Sequence, residues 1–192
     1  TAINVAQTQT TMATATGASD SPQYEVDVSW PQQLPNDWIL GQVSGIAVDS
    51  QDNIWIIQRP RTLTAHELGA VQNPPATECC YPAPSVMAFN PAGEVVQAWG
   101  GPTWNQERSV LDTSYGSANV AEAAGWDLPE DWPAQEHGIF VDHENNVLIG
   151  GNGINDHVVL KFTAEGEHLL TIGQWNETRG SNDTQLLGRP EN

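Results

Sequence analysis

A strand–turn–strand unit occurs twice in this sequence, at residues 45–53 and 138–146. Each copy reads Gly-Ile-x-Val-Asp, then three residues, then Asn and an apolar run. Alternating apolar positions are typical of half-buried strands, and the glycine lets the strand pass close to a neighbour. Asp and Asn favour the hairpin turn between the strands. Repetition of such a unit is typical of arrays and propellers.

Two more strands are predicted after each copy of the unit. They cover residues 86–89 and 94–100 after the first copy, and 157–162 and 167–173 after the second. Four antiparallel strands in roughly forty residues have the size of one propeller blade. The sequence therefore predicts an all-β fold, specifically a β-propeller with two legible blades. Because propellers use about four to eight blades, we expect a partial ring that further sequence or other chains complete.

Composition separates an N-terminal segment and two long insertions from the repeats. Residues 1–23 are rich in Thr, Ala, Gln and Ser, which predicts either a flexible leader or an extended arm that pairs with a neighbouring molecule. Residues 24–192 form the partial propeller, beginning with an alternating stretch at 24–30 that predicts a strand. Long insertions at 60–84 and 101–134 are predicted to be loops on one face of the propeller.

The charge of the chain restricts its partners. Six basic and twenty-four acidic residues give a net charge of −18. A nucleic acid needs a basic face, so nucleic-acid binding is not expected. Acidity of this size either keeps the surface soluble or suits an extracellular setting, a salty habitat or hard cations such as calcium. No apolar run approaches the roughly 20 residues of a membrane-spanning helix. The acidity and the start at Thr1 rather than Met lead us to expect a secreted, periplasmic or extracellular protein.

The two cysteines of the sequence, Cys79 and Cys80, are adjacent. Three states are open for them: a disulfide between the two neighbours, a bond to another chain, or a reduced pair. The sequence does not choose among these states.

A resemblance to a known family rests on six short segments. They are Trp30-Pro31, residues 41–49 (Gly-Gln-Val-Ser-Gly-Ile-Ala-Val-Asp), Gln58-Arg59, His137-Gly138-Ile139, residues 157–162 and Gly180-Ser181. The repeats resemble NHL repeats. Over roughly 30–59 and 135–190, the order and spacing are similar to the N-terminal half of the peptidyl-α-hydroxyglycine α-amidating lyase core. That family forms six-bladed propellers, so the resemblance implies an NHL-type propeller.

The same resemblance implies a set of site residues. A zinc ion in the family's central channel is held by three histidines, of which His137 matches the first. Arg59 matches the arginine near the substrate carboxylate, and the backbone carbonyls of Ile46 and Ile139 match ligands of a structural calcium. The implied reaction is a C–N cleavage that yields an amide and glyoxylate. The family's other zinc histidines, its tyrosine and its calcium aspartate align beyond residue 192, so the implied metal site is incomplete.

Plainer interpretations of these residues stay open. His137 is otherwise a channel-facing histidine without metal, and Arg59 an ion-paired loop residue. His157 is expected to pack in a strand, and Asp49 and Asp142 to build turns rather than to act in catalysis.

Three functions follow from these observations. The first is a secreted NHL-propeller protein with a binding or assembly role. The second is a zinc-dependent C–N lyase whose remaining ligands lie on missing sequence or on another chain. The third is a structural subunit of an extracellular polymer. The expected partners are other protein chains, copies of the chain itself, or a small peptide-like ligand.

Overall fold

The computed structural model describes residues 22, 24–72, 74–101, 103–104, 126–127, 132–153 and 156–177. Its regular structure is almost entirely β, which confirms the predicted all-β class, and its only helices in these ranges are single 3-10 turns at Pro35–Asp37, Pro60–Thr62 and Gly69–Val71. The strands are β1 (Trp38–Ile39), β2 (Gln42–Val48), β3 (Ile54–Arg59), β4 (Tyr81–Pro82), β5 (Val86–Phe89), β6 (Val95–Trp99), β7 (Thr103–Trp104), β8 (Trp126–Asp127), β9 (Glu136–Val141), β10 (Val147–Gly151), β11 (Val158–Phe162) and β12 (His168–Gly173).

Two four-stranded antiparallel sheets dominate this architecture. The first sheet has the strand order β2-β3-β5-β6, and the second has the order β9-β10-β11-β12. Each sheet is a meander, in which every strand pairs with the sheet strand that precedes it in the sequence. Two minor pairs accompany the sheets: β1 lies parallel to β4, and β7 lies antiparallel to β8. The eight predicted strands of the two repeats are therefore the strands of the two sheets.

The first hairpin turn of each sheet has the same construction. In the first sheet, the backbone N–H groups of Gln51 and Asn53 donate to Oδ1 of Asp49 at 2.8 and 2.9 Å. In the second sheet, the N–H groups of Glu144 and Asn146 donate to Oδ1 of Asp142, both at 2.9 Å. Such side-chain-to-backbone bonds are the usual reason for Asp in turns. The repeated aspartates therefore build the turns, as the sequence indicated.

The last hairpin of each sheet is also built twice in the same way. A five-residue connection is closed by bonds between Asn90 and Glu94 in the first sheet and between Thr163 and Glu167 in the second. Gly93 and Gly166 hold the fourth position of these turns with φ of +84° and +90°. Glycine adopts this left-handed conformation at no steric cost, so this turn too can be read from the sequence.

The two sheets stack face to face around one hydrophobic core. Both sheets contribute side chains from alternate strand positions, as expected for half-buried strands. The buried members are Trp55, Ile57, Val86 and Ala88 from the first sheet and Val141, Val147, Ile149, Val158, Leu160 and Phe162 from the second, with Trp132 between them. The opposite face of the first sheet is covered by a second cluster, in which Trp30, Leu34, Trp38 and Leu40 pack on Ile56, Met87 and Phe89.

The strand predicted at residues 24–30 is not formed. Both the backbone N–H and the hydroxyl of Ser29 donate to Oδ1 of Asp27, at 2.9 and 2.6 Å, and this local turn replaces an extended pairing. The alternating residues Tyr24, Val26 and Val28 are almost fully exposed. Alternation alone does not specify a strand, because the apolar side must also find a surface to cover.

The two insertions have different outcomes. The insertion at 60–84 is more ordered than a loop, since it contains β4 and two 3-10 turns and buries Leu63, Leu68 and Val71. Of the insertion at 101–134, the structure describes residues 101, 103–104, 126–127 and 132–134, and the predicted arm at 1–23 lies outside the described residues except for Pro22. Within the described ranges, no helix has the length and apolar content needed to cross a membrane.

Candidate functional site

The two sheets come closest where β2 passes β9. A Cβ atom added to Gly45 would lie 3.0 Å from the carbonyl oxygen of His137 and 3.2 Å from the backbone nitrogen of Ile139. The glycine of the first repeat therefore permits the close approach of the two backbones, as the sequence predicted. Gly138 is the equivalent glycine of the second repeat. A Cβ atom added there would have no atom of the described residues within 4 Å.

A buried carboxylate sits beside this contact, at the start of β9. Glu136 is 0 % exposed. Its Oε1 accepts hydrogen bonds from the Ser85 hydroxyl and the Trp132 indole N–H, both at 3.0 Å. Its Oε2 forms an ion pair with Arg61. A buried charge is tolerated only when it is paired and hydrogen-bonded, and these contacts meet that requirement.

Arg59 reaches the same point from the end of β3. Its Nε donates a 2.6 Å hydrogen bond to the backbone carbonyl of Glu136. Arg59 thus joins the first sheet to the second, and a role in binding a substrate carboxylate stays a prediction. The sequence singled out Arg59 but missed Arg61 and the burial of Glu136. The only signal was the closely spaced pair of arginines directly after a strand, in a chain with six basic residues.

The residues matched to metal ligands lie on the first strand of each four-stranded sheet, which is an edge strand. His137 and Ile139 belong to β9 and Ile46 belongs to β2. Among the described residues, no three His, Cys, Asp or Glu side chains come together in a way that could hold a metal ion. A structural zinc takes four protein ligands and a catalytic zinc takes three, while calcium takes six to eight oxygen atoms. The zinc and calcium sites therefore stay predictions, and no chemical step is assigned to either ion.

His157 lies at the entrance to β11 and is 7 % exposed. Its Nδ1 is buried without a hydrogen-bond partner among the described residues. The neighbouring Asp156 is buried and accepts backbone N–H bonds from Ala134, Gln135 and Gly153 at 2.8, 3.0 and 2.8 Å. Asp156 therefore fixes the segment that leads into β9, and the burial of His157 agrees with the packing role expected for it.

Glu136 and Asp142, which lie near each other in the sequence, do not form a carboxylate pair. They lie at opposite ends of β9. Asp142 instead forms an ion pair with Lys161, in which Nζ of Lys161 lies 2.8 Å from Oδ2 of Asp142. The hydrogen bond from Lys161 holds the pKa of Asp142 well below its usual range. At the first turn of the other sheet, burial raises the pKa of Asp49, but hydrogen bonds from Trp55 and Asn53 outweigh it and leave the pKa lowered.

A polar cleft of about 450 Å³ opens between the turns of the two sheets. It is bridged by the Ser50 hydroxyl, which donates a 2.9 Å hydrogen bond to Oδ1 of Asn145. Trp99 adds a second bridge, donating from its indole N–H to the carbonyl of Ala164 at 3.0 Å. The two sheets are thus joined at the turn end as well as at Glu136. The Asp49 and Glu144 carboxylates of the cleft accept hydrogen bonds within their own turns.

Cys79 and Cys80 are joined in a disulfide. Cys79 is exposed and Cys80 half-buried, in an exposed segment directly before β4. On one side of this segment Leu68 and Val71 are buried, and on the other the Gln58 side-chain amide donates to the carbonyl of Ala83 at 2.8 Å. The segment is therefore anchored by contacts other than the disulfide.

Comparison with models of known protein families finds no match, and no curated protein matches the chain. The feature that stands out is the contrast between Gly45, which is enclosed by a neighbouring strand, and Gly138, which is not.

Proposed function

We propose that this chain is a secreted protein built as part of an NHL-type β-propeller, and that it acts in binding or assembly through the exposed face of its second sheet. The single observation that carries the proposal is a mismatch between equivalent faces. One face of the first sheet is buried in the core, whereas the equivalent face of the second sheet has Gly138 and Phe140 exposed and its residues on β10 and β11 half-buried.

The equivalence follows from the strand registers. The repeats place Gly138, Phe140, Leu148, Gly150 and Val159 at the positions of Gly45, Ala47, Trp55, Ile57 and Val86. The first-sheet residues pack against the second sheet. Their second-sheet counterparts, here called the open face, line a shallow groove with His137 and Ile139.

The open face exposes apolar side chains beside one charged residue, Lys161, whose ammonium group is paired with Asp142. Phe140 is 60 % exposed, and Leu170 and Ile172 extend the apolar surface across β12. Contiguous apolar patches on soluble proteins mark interaction sites. Because the equivalent face of the first sheet is covered by a four-stranded sheet, the partner we propose for the open face is a further sheet of the same repeat.

Secretion fits two independent features. The disulfide between Cys79 and Cys80 suits an oxidising compartment. The net charge of −18 keeps the exterior of an extracellular protein soluble.

The proposal is tested by photo-crosslinking in the native source. A photoreactive phenylalanine analogue at position 140 should give an adduct, and peptide mapping should place the cross-link on a strand of a similar Gly-Ile-x-Val-Asp repeat. The same analogue at position 28 is the control, since Val28 is exposed but lies outside both sheets. Equal labelling at the two positions, or no adduct at 140, would reject the proposal.

The zinc-dependent lyase stays a prediction that no contact in the described residues favours. It requires at least two further protein ligands beside His137. Metal content of the native protein, compared with that of a His137→Ala variant, is the direct measurement.

A further inference from the structure

We infer that the partner of the open face is a second copy of this chain, bound head to tail. The inference rests on the proposed function, and it names the further sheet as the first sheet of another copy. The surface that it uses there is the pair Ile46 and Val48 on β2, here called the head patch. These two apolar side chains are 66 % and 57 % exposed.

The interface between the two sheets of one chain supplies the template. In that interface Ile139 and Val141 of β9 join the core cluster that contains Ala47, Trp55 and Ile57. Ile46 and Val48 occupy in the first repeat the positions that Ile139 and Val141 occupy in the second. The head patch therefore repeats the β9 part of the surface that binds a sheet inside the chain, and this part is exposed.

The surface that would receive the head patch is the open face, whose residues stand at positions equivalent to the core face of the first sheet. Phe140, Leu148 and Gly150 stand at the positions of Ala47, Trp55 and Ile57. Together with Gly138 and Val159 they line a groove of about 330 Å³. A groove of this volume has room for two aliphatic side chains, so the head patch of a second copy can fill it.

The backbone fits at the same place. Inside the chain, Gly45 faces the His137 carbonyl and the Ile139 nitrogen. Ser44 and Ile46 are the first-repeat equivalents of His137 and Ile139. If a second copy packs in the same geometry, its Ser44 carbonyl and Ile46 nitrogen lie beside Gly138. The added Cβ of Gly138 would meet no described atom within 4 Å, which leaves room for this strand.

The turns carry a related donor–acceptor pair. Ser50 donates to Asn145 across the internal interface. The equivalent residues across the proposed contact are His143 of one copy and Asp52 of the second, and both are exposed. A histidine donor thus replaces the serine, and a carboxylate acceptor replaces the amide oxygen.

The proposed contact lacks the strongest element of the internal one. Val43 stands at the position of Glu136 and Asn152 at that of Arg59, so the buried carboxylate cluster is not repeated. Trp30, Leu34 and Trp38 cover the rest of the head side of the first sheet, so the first sheet contributes only its edge strand β2 to the contact. We therefore expect reversible association rather than an obligate complex.

A head-to-tail contact joins the head patch of one copy to the open face of another. Each dimer therefore keeps one free head patch and one free open face. It builds closed rings if the rotation between copies closes and open filaments if it does not. With two four-stranded sheets in the described part of each chain, about two to four copies would supply the four to eight sheets of a propeller.

The test measures the molar mass of the full chain by light scattering across concentrations up to about 200 µM, a range set by the expected micromolar affinity. The wild-type chain should exceed its monomer mass of 20.8 kDa as concentration rises. Phe140→Asp and Ile46→Asp each place a charge in the contact and should weaken association by at least about tenfold. Val28→Asp, at an exposed apolar residue outside both sheets, should associate like the wild type.

Mixing the two variants decides the geometry. Phe140→Asp keeps a working head patch and Ile46→Asp keeps a working open face, so the mixture should form dimers and nothing larger. Mixed variants that stay monomeric, a wild-type chain that stays monomeric, or a Phe140→Asp chain that associates normally would each overturn the inference. Near-UV circular dichroism confirms that the variants are folded.

The molar mass and the cross-link from position 140 together distinguish a wrong second copy from a wrong proposed function. A monomeric chain with a cross-link from position 140 to a similar repeat on another protein overturns the second copy and leaves the proposed function standing. A chain with no cross-link at position 140 overturns the proposed function as well.

Discussion

The Nε atom of Arg59 lies 2.6 Å from the backbone carbonyl oxygen of Glu136, joining the end of the first sheet to the start of the second. Beside it, Arg61 forms an ion pair with the Glu136 carboxylate, which has no exposed surface. Arg59, which the family resemblance associates with the substrate carboxylate, thus helps to hold the two sheets together. The contribution of these contacts to stability can be measured independently of any activity.

Glu136→Ala should destabilise the fold by about 3–5 kcal/mol, because Arg61, Ser85 and Trp132 would be left buried without their acceptor. Urea unfolding followed by tryptophan fluorescence measures this change. Glu165→Ala is the control, since Glu165 is exposed and should change stability by less than about 0.5 kcal/mol. Equal effects of the two substitutions would show that the buried cluster is not stabilising.

Gly45→Ala and Gly138→Ala form a matched pair at equivalent repeat positions. In Gly45→Ala the new methyl group would lie 3.0 Å from the His137 carbonyl and 3.1 Å from Cγ2 of Ile57, and we expect a loss of about 1–3 kcal/mol of stability. Gly138→Ala enters open space and should fold like the wild type. The pair would contradict the described sheet contact if both variants lost the same stability.

Gly138→Ala has a second expected effect, on association. The methyl group occupies the space that the inferred second copy would use, so self-association should weaken although stability does not change. Light scattering and urea unfolding of the same sample separate the two effects. Unchanged association in this variant would place the contact elsewhere on the chain.

Stability should fall as the pH drops below about 4, the ordinary range of an aspartate pKa. The hydrogen bond from Lys161 holds the pKa of Asp142 below that range in the folded chain. A depressed folded-state pKa adds stability above the unfolded-state pKa, and this stability is lost as the pH falls toward the folded-state value.

Lys161→Met removes the main cause of the lowered pKa of Asp142. NMR titration of the Asp142 carboxyl should then show its pKa moving up toward the ordinary value, and the acid-dependent loss of stability should become smaller. Lys161 is partly exposed, so we also expect the effect in the wild type to shrink at high salt. A pKa of Asp142 that is unchanged in Lys161→Met would remove Lys161 as its cause.

Replacing both Cys79 and Cys80 by serine should change the melting temperature by less than about 3 °C. A cross-link stabilises mainly by closing a long loop in the unfolded chain, and this disulfide joins adjacent residues. The segment is also anchored by buried Leu68 and Val71. Differential scanning calorimetry of the double variant measures this change. A fall in melting temperature of about 10 °C or more would show that the disulfide is needed for stability.

Much of the local structure could be predicted from the sequence. Strand alternation and the turn residues Asp49, Asp142, Gly93 and Gly166 specify hairpins through neighbours in the chain, and those hairpins formed. The prediction failed at residues 24–30, where a turn between Asp27 and Ser29 replaced the expected strand. The site was less accessible to sequence reasoning, which singled out Arg59 but gave no sign of its contact with Glu136.

The sequence by itself determined the all-β class, the two repeats and their turns, because each of these depends on residues close together along the chain. Only the tertiary structure decided which face of each sheet is buried and which charged residues meet. Arg61 and Glu136 are 75 positions apart, and no local pattern records that the two sheets stack. The same stacking gives Gly45 and Gly138, identical in their repeats, opposite surroundings.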